Sequence, residues 1–436
     1  MGDTLRSQTI STKLRKIADQ AADYPDMKFS TLAHHIATDL LFEAYRLTRK
    51  NGAAGVDKVT TAAYEVSLEE NLKDLHERLR TGRYQAQPVK RVHIDKEDGK
   101  KRPIGIPALE DKIVQRAVVM LLTPIYEGMF HDFSFGFRPG RNPHQALSQI
   151  SESCWRLRAG WIVDADVSGF FDNMDHGVLR DFIRRRVNDG GIIRLIGKWL
   201  NAGVMEEGKH AETKEGVPQG GVVSPLLSNI FLHYVLDEWF VRDVLPRMRG
   251  RCFIVRFADD FVIGCEREED ARRIMEVLPK RFNRYGLSVH PEKTKLVDFT
   301  RPVRNTRKGK GNGTFDFLGF THYWARSRRG NWVIKRKTVR KRRNRFVKAI
   351  WDWCRNNRHL PVPVQHKKLC QKLRGYYQYH GIRFNYDTLG LVNFLVRRAW
   401  RHWLNRRSRK GPMNWATYVK FLAKYSLPKP RIHHGI

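Results

Sequence analysis

Residues 251–265 read RCFIVRFADDFVIGC, with two adjacent carboxylates, Asp259 and Asp260, in the middle of an otherwise apolar stretch. Cys252, Ile254 and Arg256 alternate with Phe253, Val255 and Phe257, and Phe261, Val262 and Ile263 follow the acids at once. β-Branched and aromatic residues on both flanks predict strand–turn–strand, a hairpin with its acids at the tip. Neighbouring carboxylates repel and are costly unless solvated or paired with cations. A divalent metal is the simplest partner, because Mg2+ takes one or two carboxylates together with substrate phosphates. Asp is also a common turn residue. Taken alone, the stretch leaves a surface turn and a metal site about even, and the rest of the chain decides between them.

At 436 residues the chain exceeds one typical domain, so two or three are expected. Its hydrophobic share of 41% supports a packed core. No segment reaches eighteen apolar residues, so no membrane span is expected. The first residues, MGDTLRSQTISTKLRK, lack the apolar region of a secretory signal. Cys154, Cys252, Cys265, Cys354 and Cys370 are scattered and form no CxxC pair. Neither a disulfide framework nor a zinc ribbon is indicated, and a reducing, cytoplasmic setting is expected. The net charge of +36 is unevenly placed. Residues 301–436 hold 35 Lys/Arg against Asp316, Asp352 and Asp387, a net of +32, with no Glu at all. Solvated faces normally interleave acids with bases, so this cationic last third implies a polyanionic partner, nucleic acid before an anionic membrane surface.

Along the chain, residues 1–50 carry helical spacing (Leu32, Ala33, Ile36, Leu40, Leu41, Ala44). Residues 88–107 predict a hairpin with its turn at 96–100, and residues 111–126 an amphipathic helix. Trp161–Ala165 is a short apolar strand ending in Asp166, with a helix expected from Gly177. Pro218-Gln219-Gly220-Gly221 turns into the apolar run 222–235, and a further helix covers 268–285. Residues 301–313 read as a basic, Gly-rich linker. Beyond it the stripes Phe346, Val347, Ile350, Trp351, Cys354 and Leu391, Phe394, Leu395, Trp403 predict a largely helical domain, with the stripes serving as core.

Asp166 at a strand end and Asp259 and Asp260 at a hairpin tip form a candidate triad. Joining nucleotides requires an oxygen nucleophile, in-line attack on phosphorus and a pyrophosphate leaving group. Two divalent metals about 3.5–4 Å apart stabilise both the attacking and the leaving oxygens. Carboxylates from different strands must converge to hold them. For Asp166 alone, a helix N-cap is the simpler assignment.

The residues around these acids carry a resemblance. Asp166-Val167-Ser168-Gly169-Phe170-Phe171-Asp172 resembles the first palm motif of reverse transcriptases, and Phe257-Ala258-Asp259-Asp260 their second, usually written YxDD. The stretch from Gly216 through Pro218, Gln219, Gly220, Ser224 and Pro225 to Asn229 is similar to their GxPQGxxxSPxLxN element. Ser134-Phe135-Gly136-Phe137-Arg138-Pro139-Gly140-Arg141 and Gly52-Ala53-Ala54-Gly55-Val56-Asp57 resemble the group II intron-encoded branch, whose members also act as maturases. The match runs in motif order from about Leu41 to the end of the sequence.

The resemblance implies an α+β chain of right-hand polymerase architecture. Residues 1–300 would form fingers and palm, with an antiparallel palm sheet and an N-terminal extension at 1–40. Residues 301–325 would be a basic linker and primer-grip-like segment (Phe315 to Phe320), and 326–436 a helical thumb and maturase domain. Asp166, Asp259 and Asp260 would be catalytic and would bind two Mg2+ ions, with Mn2+ as an alternative, aided by the backbone carbonyl of Val167. Lys96, Arg102, Phe171, Gln219 and Lys293 would contact the dNTP. Phe171 falls where the family bars a ribose 2′-hydroxyl, and Arg and Lys suit phosphate as fork and point charge. Lys295 could substitute for Lys293. Arg138, Arg141, Arg340, Arg342, Arg343 and Arg374 would contact nucleic acid, the last within a maturase-like motif, Leu373-Arg374-Gly375-Tyr376-Tyr377-Gln378-Tyr379. Expected partners are an RNA template, intron RNA, a DNA primer or target, and dNTPs, in a bacterial cytoplasm or nucleoid. No trailing Cys/His-rich endonuclease is expected. Phe257 departs from the usual Tyr, which removes a hydrogen bond worth roughly 0.5–1.5 kcal/mol while keeping the ring. Two alternatives stay open: a domesticated retron, defence or diversity-generating enzyme, and a maturase whose polymerase is dispensable.

Overall fold

The computed structural model describes residues 2–95, 101–206, 209–211, 216–217, 219–302, 310–407 and 412–436. Among them, four small sheets are set between helices, an α+β arrangement. The sheet that matters most has the strand order Lys295–Asp298, Trp161–Ala165, Asp260–Cys265, Cys252–Phe257, antiparallel throughout. Its period-two pattern hides apolar residues on both faces. Val163, Ala165, Ile254, Phe261 and Ile263 join one core with Ala271, Ile274, Leu278 and Phe282 of the helix Glu268–Asn283. Ile162, Phe253, Val255 and Val262 join a second core with Ala146, Leu147 and Ile150 of the helix Pro143–Arg156. Clamped between two cores, the sheet has one fixed register.

The predicted hairpin at 88–107 pairs Val89–Asp95 with Lys101–Ile106, and Val204–Glu206 adds to it in parallel. Its turn, with Lys96, lies outside the described residues. The helix Leu109–Glu127 follows. The N-terminal helical region is interrupted: Gly2–Asp23 and Thr38–Leu47 are helices, and only a single turn, Ala33–His35, lies between.

The C-terminal third departs from expectation at its start. Lys310–Phe317, Phe320–Arg326 and Trp332–Thr338 form a three-stranded antiparallel sheet, so helix begins at Arg340 and not at 326. Alternate residues Phe320, Trp324, Trp332 and Ile334 enter the second core, and Lys335 and Lys337, at the intervening positions of the last strand, turn half outward and outward. The helices Arg340–Asn356, Val362–His380, Tyr386–Leu404 and Trp415–Lys424 share a third core around Leu369, Tyr377, Val396 and Trp400. Trp400 is fully buried, in keeping with a packing role, whereas Trp351 keeps 37% of its surface exposed. No helix among the described residues is long and apolar enough to cross a membrane.

Candidate active site

The hairpin closes with Phe257 opposite Asp260, leaving Ala258 and Asp259 as a two-residue turn. Ala258 sits at φ 57, a conformation that side-chain-bearing residues seldom adopt. The surroundings hold it there. Arg256 is completely buried, and its guanidinium reaches the Ala258 carbonyl and Asn229 Oδ1 at 3.0 Å each. The same guanidinium forks onto Asp237, with Nε–Oδ1 2.8 Å and Nη2–Oδ2 2.5 Å. Asn229 donates onward to the Gly136 carbonyl at 2.7 Å, and Phe135 N donates to Arg256 O at 2.8 Å. Gly136 lies so close that a Cβ there would stand 2.2 Å from Ala258 N.

Asp166 follows the strand Trp161–Ala165, whose Ala165 pairs with Phe261, so the third acid emerges beside the hairpin tip. It does not cap a helix. The next helix, His176–Arg184, is capped by Asp175, whose side chain accepts from Val178 N. Asp166 O instead accepts from His290 N at 2.8 Å, and its carboxylate takes Lys293 Nζ at 2.9 Å. Val167 is buried and pairs with Val289.

The acids disturb one another. Asp260 is exposed at the hairpin tip, though protein surrounds much of its carboxyl. That desolvation, with Asp259, Asp164 and Asp166 adding to it, pushes its pKa up to about 7 against an opposing Arg342. Asp259 is also raised, by burial first and then by Asp166, with Arg102 and Arg256 opposing. Asp164 is pushed to about 7 by burial, Asp316 and Asp166, with Lys295 opposing. Sequence reasoning passed over Asp164 and Asp316. For Asp164 the signal was present, since it precedes Asp166 by two in Val163-Asp164-Ala165-Asp166.

Three of the expected nucleotide contacts gather nearby. Arg102 Nε donates to Gln219 Oε1 at 2.6 Å, and Gly105 N donates to Gln219 O at 2.7 Å. Phe171 and Gln219 line one cleft with Arg91, Pro103, Gly105 and Gly216. Val217 N donates to Phe171 O at 2.7 Å, tying that cleft to the segment after Asp166.

The expected nucleic-acid contacts divide. Arg138 is corrected: it is buried, and its N–H groups go to the Glu127 carboxylate and to the carbonyls of Glu127, His131 and Ser134. With its donors used internally it braces the loop below the hairpin. Arg141 pairs with Asp132 at 2.6 Å. Arg340 and Arg374 are exposed, and Arg343 is half-buried beside Asn344. Arg342 crosses Gly319, where a Cβ would lie 2.6 Å from its Nη1, toward Asp260.

Carboxylates converging from two strands, ringed by Arg and Lys on separate elements, define a site for cations and phosphates. The reverse transcriptase (RNA-dependent DNA polymerase) family model matches residues 94–322, more than half of the sequence, and the chain belongs to that family. Members generally use Mg2+. The chain is 33% identical over 381 residues to Protein YkfC of Escherichia coli (strain K12), covering 78% of this chain and 95% of that protein. It is also 33% identical over 300 residues to group II intron-encoded protein LtrA of Lactococcus lactis subsp. cremoris, covering 66% of this chain but half of LtrA. Over 116 residues, 26% of this chain and 16% of the relative, it is 32% identical to nuclear intron maturase 1, mitochondrial, of Arabidopsis thaliana.

Proposed function

We propose that this RNA-dependent DNA polymerase extends a primer 3′-hydroxyl with dNTPs on an RNA template, and that it binds intron RNA to assist splicing and mobility. The convergence of Asp166, Asp259 and Asp260 beside Lys293, Arg102 and Gln219 carries this reading. Residues 1–300 would act as fingers and palm, and the helices from Arg340 as thumb and maturase domain, with the sheet Lys310–Thr338 joining them.

The donor set fits Mg2+. Oxygen ligands alone suit a hard cation, and acids whose pKa values rise when crowded together are the groups a divalent cation would relieve. Asp166, Asp259, Asp260 and the Val167 carbonyl would hold two such ions. Held there, such ions would supply activation of a hydroxyl and neutralisation of phosphate charge. The chain's own groups do the rest. Lys293 and Arg102 meet the triphosphate, Gln219 positions the nascent pair, and the Phe171 ring walls the sugar side of the cleft.

Asp259→Ala should abolish extension on an RNA template while RNA binding stays nearly intact; extension at the wild-type rate overturns the assignment. Phe171→Ala should admit rNTPs, measured as the ratio of rNTP to dNTP incorporation.

A further inference from the structure

We propose that His131, His233 and Glu238 form a second cation site that takes a divalent transition metal such as Zn2+, separate in place and chemistry from the carboxylate cluster. One ligand atom from each residue lies within 4.8 Å of the others. His131 Nε2 is 2.9 Å and His233 Nε2 3.9 Å from Glu238 Oε1. Ligand atoms of a tetrahedral zinc stand about 3.3–3.5 Å apart, a spacing that the two distances straddle. Two imidazoles and one carboxylate leave a fourth position for water, and imidazole selects Zn2+, Co2+ or Ni2+ over Mg2+.

The backbone builds the set from an irregularity. The helix Ser224–Leu232 widens into a π-turn at His233–Asp237, where Glu238 N donates to His233 O. That bond spans five residues, so positions 233 and 238 stack on one face, which an ordinary helix would not do. π-Turns of this kind recur at functional sites. His131 approaches from the loop after the helix Leu109–Glu127. His233 is 98% buried, since only 2% of its surface is exposed; its Nε2 stops beyond hydrogen-bond reach of Glu238, and its Nδ1 has no partner among the described residues. A cation between the rings would give Nε2 a partner, while the orphaned Nδ1 points away from it.

Neighbouring arginines do not veto the charge. Arg138 is closed on Glu127 and Arg256 on Asp237, while Arg242 Nε meets Glu238 Oε2 at 2.7 Å and Oε1 faces the imidazoles. A cleft lined by Met129, His233, Glu238 and Trp239 gives access. The ion would cross-link the 131–136 loop to the helix that carries Asp237, the two supports of the catalytic hairpin.

The test uses the full chain, stripped with chelator and then saturated with Mg2+ so that the carboxylate cluster is occupied. Co2+ should bind at one equivalent with the intense visible absorption of a four-coordinate, nitrogen-ligated ion, and Zn2+ should displace it. His131→Gln and Glu238→Gln, both at partly exposed positions, should each weaken binding more than about 100-fold, beyond the loss typical of outer-shell changes. Zn2+ should raise the thermal midpoint of the unmodified chain but not of His131→Gln. Absence of that absorption in the folded wild-type chain, or its persistence at full affinity in both variants, overturns the site.

Discussion

Asp237→Ala removes one half of an ion pair whose two side chains have no solvent exposure at all. What remains is a guanidinium in the interior with only neutral partners, Asn229 Oδ1 and the Ala258 carbonyl. Deleting one member of a buried pair costs about 3–5 kcal/mol, because the surviving charge is desolvated without compensation. At about 2 °C per kcal/mol for a chain of this size, the thermal midpoint should fall by about 6–10 °C. Arg256→Met combined with Asp237→Leu removes both charges and should recover most of that loss, since apolar replacement of a buried pair is often neutral. Extension should not recover with it. Ala258 would lose the donor on its carbonyl while still needing φ 57, a strained conformation that persists only when its surroundings impose it. Thermal melts followed by circular dichroism, with single-turnover primer extension on the same preparations, separate the two effects. A midpoint shift below about 2 °C for Asp237→Ala, or a double variant no more stable than the single, refutes the reasoning.

Gly136→Ala drives a methyl carbon to within 2.2 Å of Ala258 N, backbone against backbone, so extension should drop by at least about tenfold with RNA affinity unchanged in filter binding. Asp260 and Asp164 titrate near 7 when folded against an ordinary 3.8, so without metal the folded chain binds more protons than the unfolded one between about pH 4 and 7. Their stabilising contribution is therefore present at low pH and lost as pH rises through 7; Mg2+ should raise the thermal midpoint at pH 8 more than at pH 5, and Asp260→Asn should shrink that difference. RNA binding should weaken with salt at a log–log slope of about 0.7 per phosphate contacted, and Arg340→Ala and Arg374→Ala should each lower the slope, whereas a flat response contradicts the cationic surface. Phe257→Tyr should change extension less than about threefold, because the ring is partly buried against the second core, 6.4 Å from the Phe137 ring, and already holds its place.

The acidic hairpin was legible because its pattern is local. Apolar residues at period two on both sides of Ala258-Asp259 fix the strands and the turn together. Asp166 was legible for the same reason, at the end of a short apolar strand. What escaped is set by partners that no local periodicity reveals. Arg138, in a Gly- and Pro-rich motif, looks in one dimension like a phosphate contact, but Glu127 and two carbonyls consume its donors. Asp237, nineteen residues before Arg256, sits beside Glu238 just past the apolar run 222–235, where nothing marks it as a counter-charge. The strand Trp332–Thr338 was hidden by composition, since its basic residues mask an alternation that buries every second side chain.

Burial divides one kind of interaction into scaffold and site. Arg256–Asp237 holds both its charges away from water, and Arg138 is buried against a partly exposed Glu127; in both, exchange of the arginine's partner is costly, and both position backbone. Lys293–Asp166 is the same chemistry with side chains 58% and 44% exposed, worth at most about 1 kcal/mol. A pair that weak would yield readily to the proposed triphosphate on the lysine and cation on the carboxylate. Besides the buried Arg256, the basic groups acting on the acid cluster are Arg102, the near neighbours Lys293 and Lys295, and Arg342, which come from three separate segments. Like charge is thus retained at the hairpin tip by a scaffold whose own charges are already matched, and the excess that remains is what a divalent cation and a polyanion together would balance.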